Sequence, residues 1–200
     1  MPEAAGYIIE QLKKHGHEAY IVGGCVRDSV LDKEPHDWDI TTSAIPEETK
    51  AIFRRTIDTG IEHGTVTVMI GEVGYEVTTY RIDGIYEDHR RPSGVTFTSS
   101  LIEDLKRRDF TINAMAYNDK EGLVDAFDGA GDLEKGVIRC VGVPQERFDE
   151  DALRILRAVR FAAQLDFAID KPTQQAIREK AEFLRDISAE RIREELTKLI

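Results

Sequence analysis

Tyr20-Ile21-Val22-Gly23-Gly24-Cys25-Val26-Arg27-Asp28 reads as a short apolar strand, a glycine pair and the start of a helix, and Asp37-Trp38-Asp39 follows it. The strand Ala19–Val22 stops at the glycines, and Cys25–Asp32 has the length of a short helix. Glycines let backbone N–H groups approach phosphate oxygens closely. The helix N-terminus adds partial positive charge and Arg27 a full one. Taken alone, a glycine pair is equally a tight structural turn. Asp37 and Asp39 fall in Asp37–Thr42, whose alternation predicts a strand. Residues two apart on a strand point to the same face. Two carboxylates there repel unless a cation sits between them, and a hard divalent ion such as Mg²⁺ suits oxygen ligands and brings substrate phosphates with it. Taken alone, two such acids are more often a solvated strand edge. Glycine turn and acid pair together describe a nucleoside triphosphate held at its phosphates by the glycine turn, and at its metal by Asp37 and Asp39.

Outward from this stretch, helix and strand patterns alternate. Ala4–Lys14 and Pro46–Arg55 predict helices, the second with proline in its first turn. Thr65–Ile70 and Tyr75–Tyr80 are β-branched runs separated by Gly71-Glu72-Val73-Gly74, a hairpin signal. Asp83–Gly94 is polar and punctuated by glycine and proline, which predicts a mobile loop. Leu101–Tyr117 reads as mostly helical and Val137–Val141 as a last strand. Beyond Pro144 the pattern is helical, over Asp151–Gln164, Pro172–Phe183 and Ala189–Ile200. An α/β (α+β) unit over 1–142, followed by an all-helical unit over 143–200, is therefore expected. The last helix has no stop signal, which suggests a truncated chain.

The chain has 200 residues with 41% hydrophobic and 32% charged side chains and a net charge of −11. That composition excludes disorder, collagen and coiled coil. No apolar run reaches the roughly 18 residues of a membrane span, and Met1–Lys14 lacks a signal-peptide core. Cys25 and Cys140 are too few for a disulfide framework, and a cytoplasmic setting is the default. Residues 1–140 carry 16 basic and 26 acidic side chains, and residues 141–200 carry 11 and 12. A global basic field for nucleic acid is absent, so any polyanion site must come from clustered arginines.

Glu76, in the second hairpin strand, is a third acid that can help hold a metal or take a proton, or simply an exposed strand residue. In Lys106-Arg107-Arg108-Asp109 either arginine can reach a triphosphate. The stretch Glu150-Asp151-Ala152-Leu153-Arg154-Ile155-Leu156-Arg157-Ala158-Val159-Arg160 is the most informative. As one helix it clusters Ala152, Ile155, Leu156, Val159 and Ala163 on a core face, with Glu150, Arg154 and Arg157 opposite. Asp151 then lies about 60° from Arg154 around the wheel, and Arg160 winds further round. An amphipathic helix laced with ion pairs has the same pattern. An Asp beside an Arg is also a protein version of a base-pairing edge, because Asp accepts hydrogen bonds and Arg donates them. Cytosine and adenine present an amino donor beside a ring acceptor. Uracil and guanine present the reverse order. One Asp151/Arg154 pair can thus accept C and A and reject U and G.

These motifs resemble the class II tRNA nucleotidyltransferases, the CCA-adding enzymes, within the superfamily that includes bacterial poly(A) polymerases. The resemblance runs from about Tyr20 to Leu199, in five ordered blocks. The first is Gly23-Gly24-x-x-Arg27-Asp28 with Asp37-x-Asp39, and the second is Arg107-Arg108-Asp109-Phe110-Thr111-Ile112-Asn113-Ala114-Met115-Ala116. Asp125-x-x-Asp128-Gly129-x-x-Asp132-Leu133, Glu150-Asp151-x-x-Arg154-x-x-Arg157 and Ala189-Glu190-Arg191-Ile192-x-Glu194-Glu195-Leu196 complete the set. The resemblance implies a head with a small five-stranded mixed sheet flanked by helices, and a helical neck. It implies template-independent addition of C, C and A to tRNA 3′ ends from CTP and ATP. Asp37 and Asp39 would hold two Mg²⁺ ions, and Asp151 and Arg154 would read the incoming base. Gly24, Arg27, Arg108, Arg157 and Arg160 would contact the nucleotide, and Asp83–Pro92 would match a flexible loop that supports the switch to A. Family members extend past the neck into tRNA-gripping domains.

Two rivals remain at this level. An A-adding enzyme or poly(A) polymerase shares the superfamily, although Ile57–Thr65 looks CCA-like. A non-catalytic nucleotide- or RNA-binding module has no need for the metal pair. His36, His63 and His89 read as surface or loop residues, and the cysteines as buried thiols.

Overall fold

The computed structural model describes residues 1–84, 86–87, 91–92 and 94–198. Elements follow in the order α1 (Glu3–Lys14), β1 (Ala19–Val22), α2 (Gly24–Val30), β2 (Ile40–Thr42), α3 (Pro46–Ile52), β3 (Thr56–Gly60), β4 (Thr65–Ile70) and β5 (Val73–Thr79). Then come β6 (Arg81–Asp83), β7 (Tyr86–Glu87), β8 (Arg91–Pro92), β9 (Val95–Phe97), α4 (Leu101–Lys106), β10 (Ala116–Asn118), β11 (Gly122–Val124) and α5 (Gly129–Lys135). The chain continues with β12 (Val137–Ile138), α6 (Pro144–Glu150), α7 (Leu153–Leu165), β13 (Ala168–Ile169), α8 (Lys171–Lys180) and α9 (Ala189–Thr197).

The mixed α/β architecture is as expected, but the sheet has seven strands rather than five, in the order β11-β10-β1-β2-β5-β4-β3. β2 and β5 are parallel and every other neighbouring pair is antiparallel. The extra strands are short or exposed. β3 is mostly solvent-facing, and β10 lies inside the stretch that reads as a helix over Leu101–Tyr117. That apolar run is not one helix. α4 ends at Lys106, Phe110 bridges to Cys140, and a short 3-10 turn covers Thr111–Asn113 before β10. The predicted Val137–Val141 strand shrinks to β12, which leaves the main sheet and pairs in parallel with β13. The helical part therefore carries a strand of its own.

The predicted loop over Asp83–Gly94 also departs from expectation. β6 pairs with β9 and β7 with β8, in two short antiparallel ladders. Residues 85, 88–90 and 93 lie outside the described residues, and His89 with them.

Local chemistry explains the boundaries that matter. α1 buries Ala5, Ile8, Ile9 and Leu12, an i, i+3, i+4, i+7 stripe. Pro46 opens α3, and the Glu48 carboxylate accepts the Ile45 N–H at 2.9 Å. The Asp125 carboxylate accepts the N–H groups of Gly129 and Ala130 at 2.8 and 2.9 Å, which caps α5. A Cβ on Gly129 would lie 2.3 Å from the Thr111 carbonyl oxygen, so only glycine allows α5 to pack that closely on the 3-10 turn. One apolar core runs through both parts of the chain, joining Ile21, Phe110 and Met115 to Phe148, Ile155, Ala158 and Phe161. Cys25 and Cys140 are free and buried, as expected. Among the described residues no helix is long and apolar enough to cross a membrane.

Candidate active site

The glycine turn is held from both sides. Gly23 joins β1 to α2 at φ 81° and ψ −127°, a conformation that side chains with a Cβ avoid. Its N–H donates to the Met115 carbonyl at 3.2 Å, and a Cβ there would lie 3.1 Å from an Arg108 guanidinium nitrogen. Gly24 follows as the first residue of α2.

The two aspartates are not in the strand itself. β2 begins at Ile40, and Asp37-Trp38-Asp39 leads into it, tied to β1 by the Val22 N–H donating to the Asp39 carbonyl at 3.0 Å. Half-buried Trp38 packs on the core. The parallel register Ile40↔Val77 sets Glu76 of β5 beside Asp39. Asp39 keeps an exposed edge, yet crowding by protein raises its carboxyl above the usual carboxylate range; the charge of Glu76 adds to this, Arg108 opposes it and Asp37 adds further.

Asp37 and Asp39 line a cavity of about 620 Å³ together with Gly24, Arg27, Arg108, Asp151, Arg154, Arg157 and Arg160. Residues from the first half of the chain and from the arginine helix thus face one space. Glu76 does not line it. It faces an adjoining cavity of about 630 Å³, which Asp37 and Asp39 also line.

On the arginine side the cations are already paired. Arg27 Nε donates to Asp28 at 2.8 Å, and its Nη1 to the Asn113 amide oxygen at 2.9 Å. Asn113 donates to Asp109 Oδ1 at 3.2 Å, and Arg157 Nε to Asp109 Oδ2 at 2.7 Å. Arg157 lies 3.7 Å from Glu195, which accepts Arg160 Nε at 2.6 Å. Burial alone would raise the Asp109 carboxyl. Arg157 and Arg154, with the hydrogen bonds from Arg157 and Asn113, outweigh it and hold Asp109 below the usual range. At the centre is the Phe161 ring, with the guanidinium carbons of Arg27, Arg157 and Arg160 at 5.1, 5.3 and 4.2 Å from its centroid. All three are within cation–π range.

The Asp151/Arg154 stretch is built differently from the single helix that spacing predicts. α6 ends at Glu150 and α7 starts at Leu153, so Asp151 sits at a break between helices. Its Oδ1 accepts the Leu153 N–H at 3.0 Å, and Arg191 Nη2 donates to its Oδ2 at 3.0 Å. Arg154 Nη1 donates to Glu150 Oε2 at 2.5 Å, and its Nη2 to the Arg107 carbonyl at 3.0 Å. The Asp151 and Arg154 side chains share the cavity, and the two residues are joined through the backbone, the Arg154 N–H donating to the Asp151 carbonyl at 3.0 Å. The buried face of α7 is also rotated. Arg154, Arg160 and Phe161 are buried, whereas Val159 and Ala163 are exposed. Carboxylate partners, half-buried Glu150 for Arg154 and buried Glu195 for Arg160, allow those arginines to be buried.

Sequence reasoning missed Phe161 and the partner roles of Asp109, Asn113, Arg191 and Glu195. Asp109 and Asn113 lie in the second quoted block, and Arg191 and Glu195 in the fifth. Phe161 reads as an ordinary apolar residue, and only its flanking arginines hint otherwise.

The Poly A polymerase head domain family matches residues 19–139. The chain belongs to that family. Residues 166–200 match a second family, described as the probable RNA and SrmB-binding site of polymerase A. The CCA-adding enzyme of Lactobacillus delbrueckii subsp. bulgaricus is 57% identical over 192 residues, covering 96% of this chain and 48% of that protein. A crystal structure of the Bacillus stearothermophilus CCA-adding enzyme in complex with CTP superposes with a TM-score of 0.90 at 49% identity, covering 98% of this chain and 47% of that one. The Thermotoga maritima CCA-adding enzyme complexed with tRNA superposes at 0.80 with 29% identity, over 98% of this chain and 46% of that one. The chain spans about half the length of the curated relatives it matches.

The acid end fits a divalent cation by its donor chemistry. Asp37, Asp39 and Glu76 are hard oxygen donors, and the Asp39 carboxyl is raised first by burial and then by the charges of Glu76 and Asp37. Among the described residues no group of three or more His, Cys, Asp or Glu is closed into a metal cage. An open pair of carboxylates is what magnesium uses when water and phosphate oxygens complete its shell.

Proposed function

We propose that this chain is the nucleotidyltransferase head, residues 1–142, and helical neck, residues 143–200, of a CCA-adding enzyme. It would add C, C and A to the 3′ end of tRNA from CTP and ATP in the cytoplasm. The observation that carries the reading is the single cavity lined both by the Asp37/Asp39 pair with its glycine turn and by Asp151 with Arg154. A triphosphate and a base of one nucleotide need those two ends at once. The names of the relatives favour CCA addition over A-only addition.

In the reaction, the tRNA 3′-oxygen forms a bond to the α-phosphorus, the bond from that phosphorus to the β-phosphate oxygen breaks, and pyrophosphate leaves. Asp37 and Asp39 would hold two Mg²⁺ ions. Bound there, the ions would neutralise the triphosphate and favour ionisation of the attacking hydroxyl. Glu76 would supply a third carboxylate next to Asp39. Gly24, Arg27 and Arg108 would orient the phosphates, and Arg157 and Arg160 would line the nucleotide's flank around Phe161. Asp151 would accept the exocyclic amino group of C or A, and Arg154 would donate to the neighbouring ring nitrogen.

The test is extension of a tRNA lacking its last three nucleotides, with Mg²⁺ and each labelled triphosphate alone, then CTP with ATP. Addition of two C and one A followed by a stop is expected. Long A tails would move the chain to poly(A) synthesis. Nucleotide binding without any addition, and unaffected by Asp37→Ala with Asp39→Ala, would make it a binding module.

A further inference from the structure

Asp104 lies in the last turn of α4 with no side-chain exposure, and it belongs neither to the acid cluster nor to the arginine network. A buried carboxylate needs partners, and this one has four. Its Oδ1 accepts Arg107 Nε at 2.9 Å and the Arg81 backbone N–H at 3.3 Å. Its Oδ2 accepts the Thr41 hydroxyl at 3.2 Å and meets Arg108 Nη2 at 3.5 Å. The carboxylate thus ties together β2, just past Asp39, the start of β6, and the Arg107-Arg108 turn.

Arg108 depends on that anchor. Among the described residues, Asp104 is the one carboxylate within ion-pair distance of Arg108. Arg108 Nε is buried with no hydrogen-bond partner, and Nη1 reaches over Gly23. Its guanidinium therefore has unused donors beside the glycine turn. A long, freely rotating side chain loses conformational entropy when it binds a ligand, and a fixed carboxylate that holds one of its nitrogens removes part of that cost. The base end is held by other groups, since Arg191 grips Asp151 and Glu150 grips Arg154.

We propose that Asp104 is a positioning residue for the nucleotide's phosphates, acting by fixing the Arg108 guanidinium over the Gly23-Gly24 turn. This rests on reading the cavity as a nucleoside triphosphate site. Burial opposes ionisation of Asp104, but Arg107 and Arg108 prevail and keep its carboxyl below the usual range, so the anchor is charged at neutral pH. The effect of losing it must grow with the number of phosphates on the ligand and leave base choice alone.

The experiment is calorimetric titration of the full chain with CTP, CMP and UTP in Mg²⁺, for the parent, Asp104→Asn, Arg108→Gln and the double variant. Asp104→Asn is expected to weaken CTP about tenfold, the scale of one hydrogen bond to a charged group, with CMP much less affected and the CTP-to-UTP ratio unchanged. The double variant should bind CTP no more weakly than Arg108→Gln. Equal weakening of CTP and CMP, or losses that multiply in the double variant, would overturn the proposal and leave Asp104 a structural anchor. Should Asp104→Asn fail to fold, Thr41→Val removes one bond to the same carboxylate oxygen and should show the same pattern at smaller size; no selective loss there also overturns it. A parent that binds CTP no better than CMP would instead refute the triphosphate reading itself.

Discussion

The two ends of the cavity follow opposite electrostatic plans. At the acid end Asp37 and Asp39 line the cavity with Glu76 in the adjoining one, and Arg108 opposes the raising of the Asp39 carboxyl. At the other end every guanidinium has a carboxylate: Arg27 with Asp28, Arg154 with Glu150, Arg157 with Asp109, Arg160 with Glu195 and Arg191 with Asp151. Desolvated charge without a counter-charge is costly, and paired charge much less so. The acid end therefore suits an incoming cation, while the arginine end already has its counter-charges. Substitutions should separate the two: acids lost from the first should harm activity and spare the fold, and members of the second should harm both.

The largest effect is expected from Asp39→Asn. Single-nucleotide extension should fall by about 10³-fold or more, since several kcal/mol of transition-state stabilisation would go. The melting temperature should hold or rise, because burial and then the charges of Glu76 and Asp37 already disfavour the ionised Asp39 in the folded state. Near-normal extension would break the contrast. Arg154→Ala comes next. It takes one of the two cationic partners from half-buried Glu150, which keeps Arg147, and should cost about 2 kcal/mol in urea unfolding. The incorporation ratio of CTP to UTP should fall with it, with metal binding intact; an unchanged ratio would contradict base reading by Arg154.

Asp109→Asn sharpens the comparison through pH. The folded Asp109 carboxyl is below its unfolded value, so its stabilising effect is fully present above the ordinary carboxylate range and is lost as pH falls through the folded value. The variant should be less stable than the parent by about 2 kcal/mol at pH 7, with the gap closing below about pH 4. A gap independent of pH would show that the Arg157 pair is not its source. The smallest effect concerns the thiols. Burial pushes Cys25 up to about 11 and Cys140 up to about 12, so alkylation at pH 8 should wait for unfolding.

Much of this was legible locally. β1, β4, β5 and α1 announce themselves by apolar runs and spacing, and the glycine turn with its acid pair marks one end of the cavity. What was hidden is non-local. Arg157 meets Asp109 across 48 residues, Arg191 meets Asp151 across 40 and Arg160 meets Glu195 across 35, distances with no periodic signature. Glu195 is one such partner, and it allows Arg160 to be buried while Val159 and Ala163, which a wheel gives to the core, are exposed. The break at Asp151 was hidden for a related reason. No proline or glycine marks it, and the Asp151 side chain itself caps the next helix. β10 and β11 escaped because they are three residues each, too short for an alternating pattern to emerge.

Trp38, the single tryptophan, stands between the two aspartates and reports on them directly. Its fluorescence, titrated with each of the four nucleoside triphosphates with and without Mg²⁺, tests whether one cavity joins a cation-requiring end to a base-reading end. CTP and ATP should each bind at least about tenfold more tightly than UTP and GTP, and only with Mg²⁺ present. Equal affinity for all four, or binding that ignores Mg²⁺, would contradict the account.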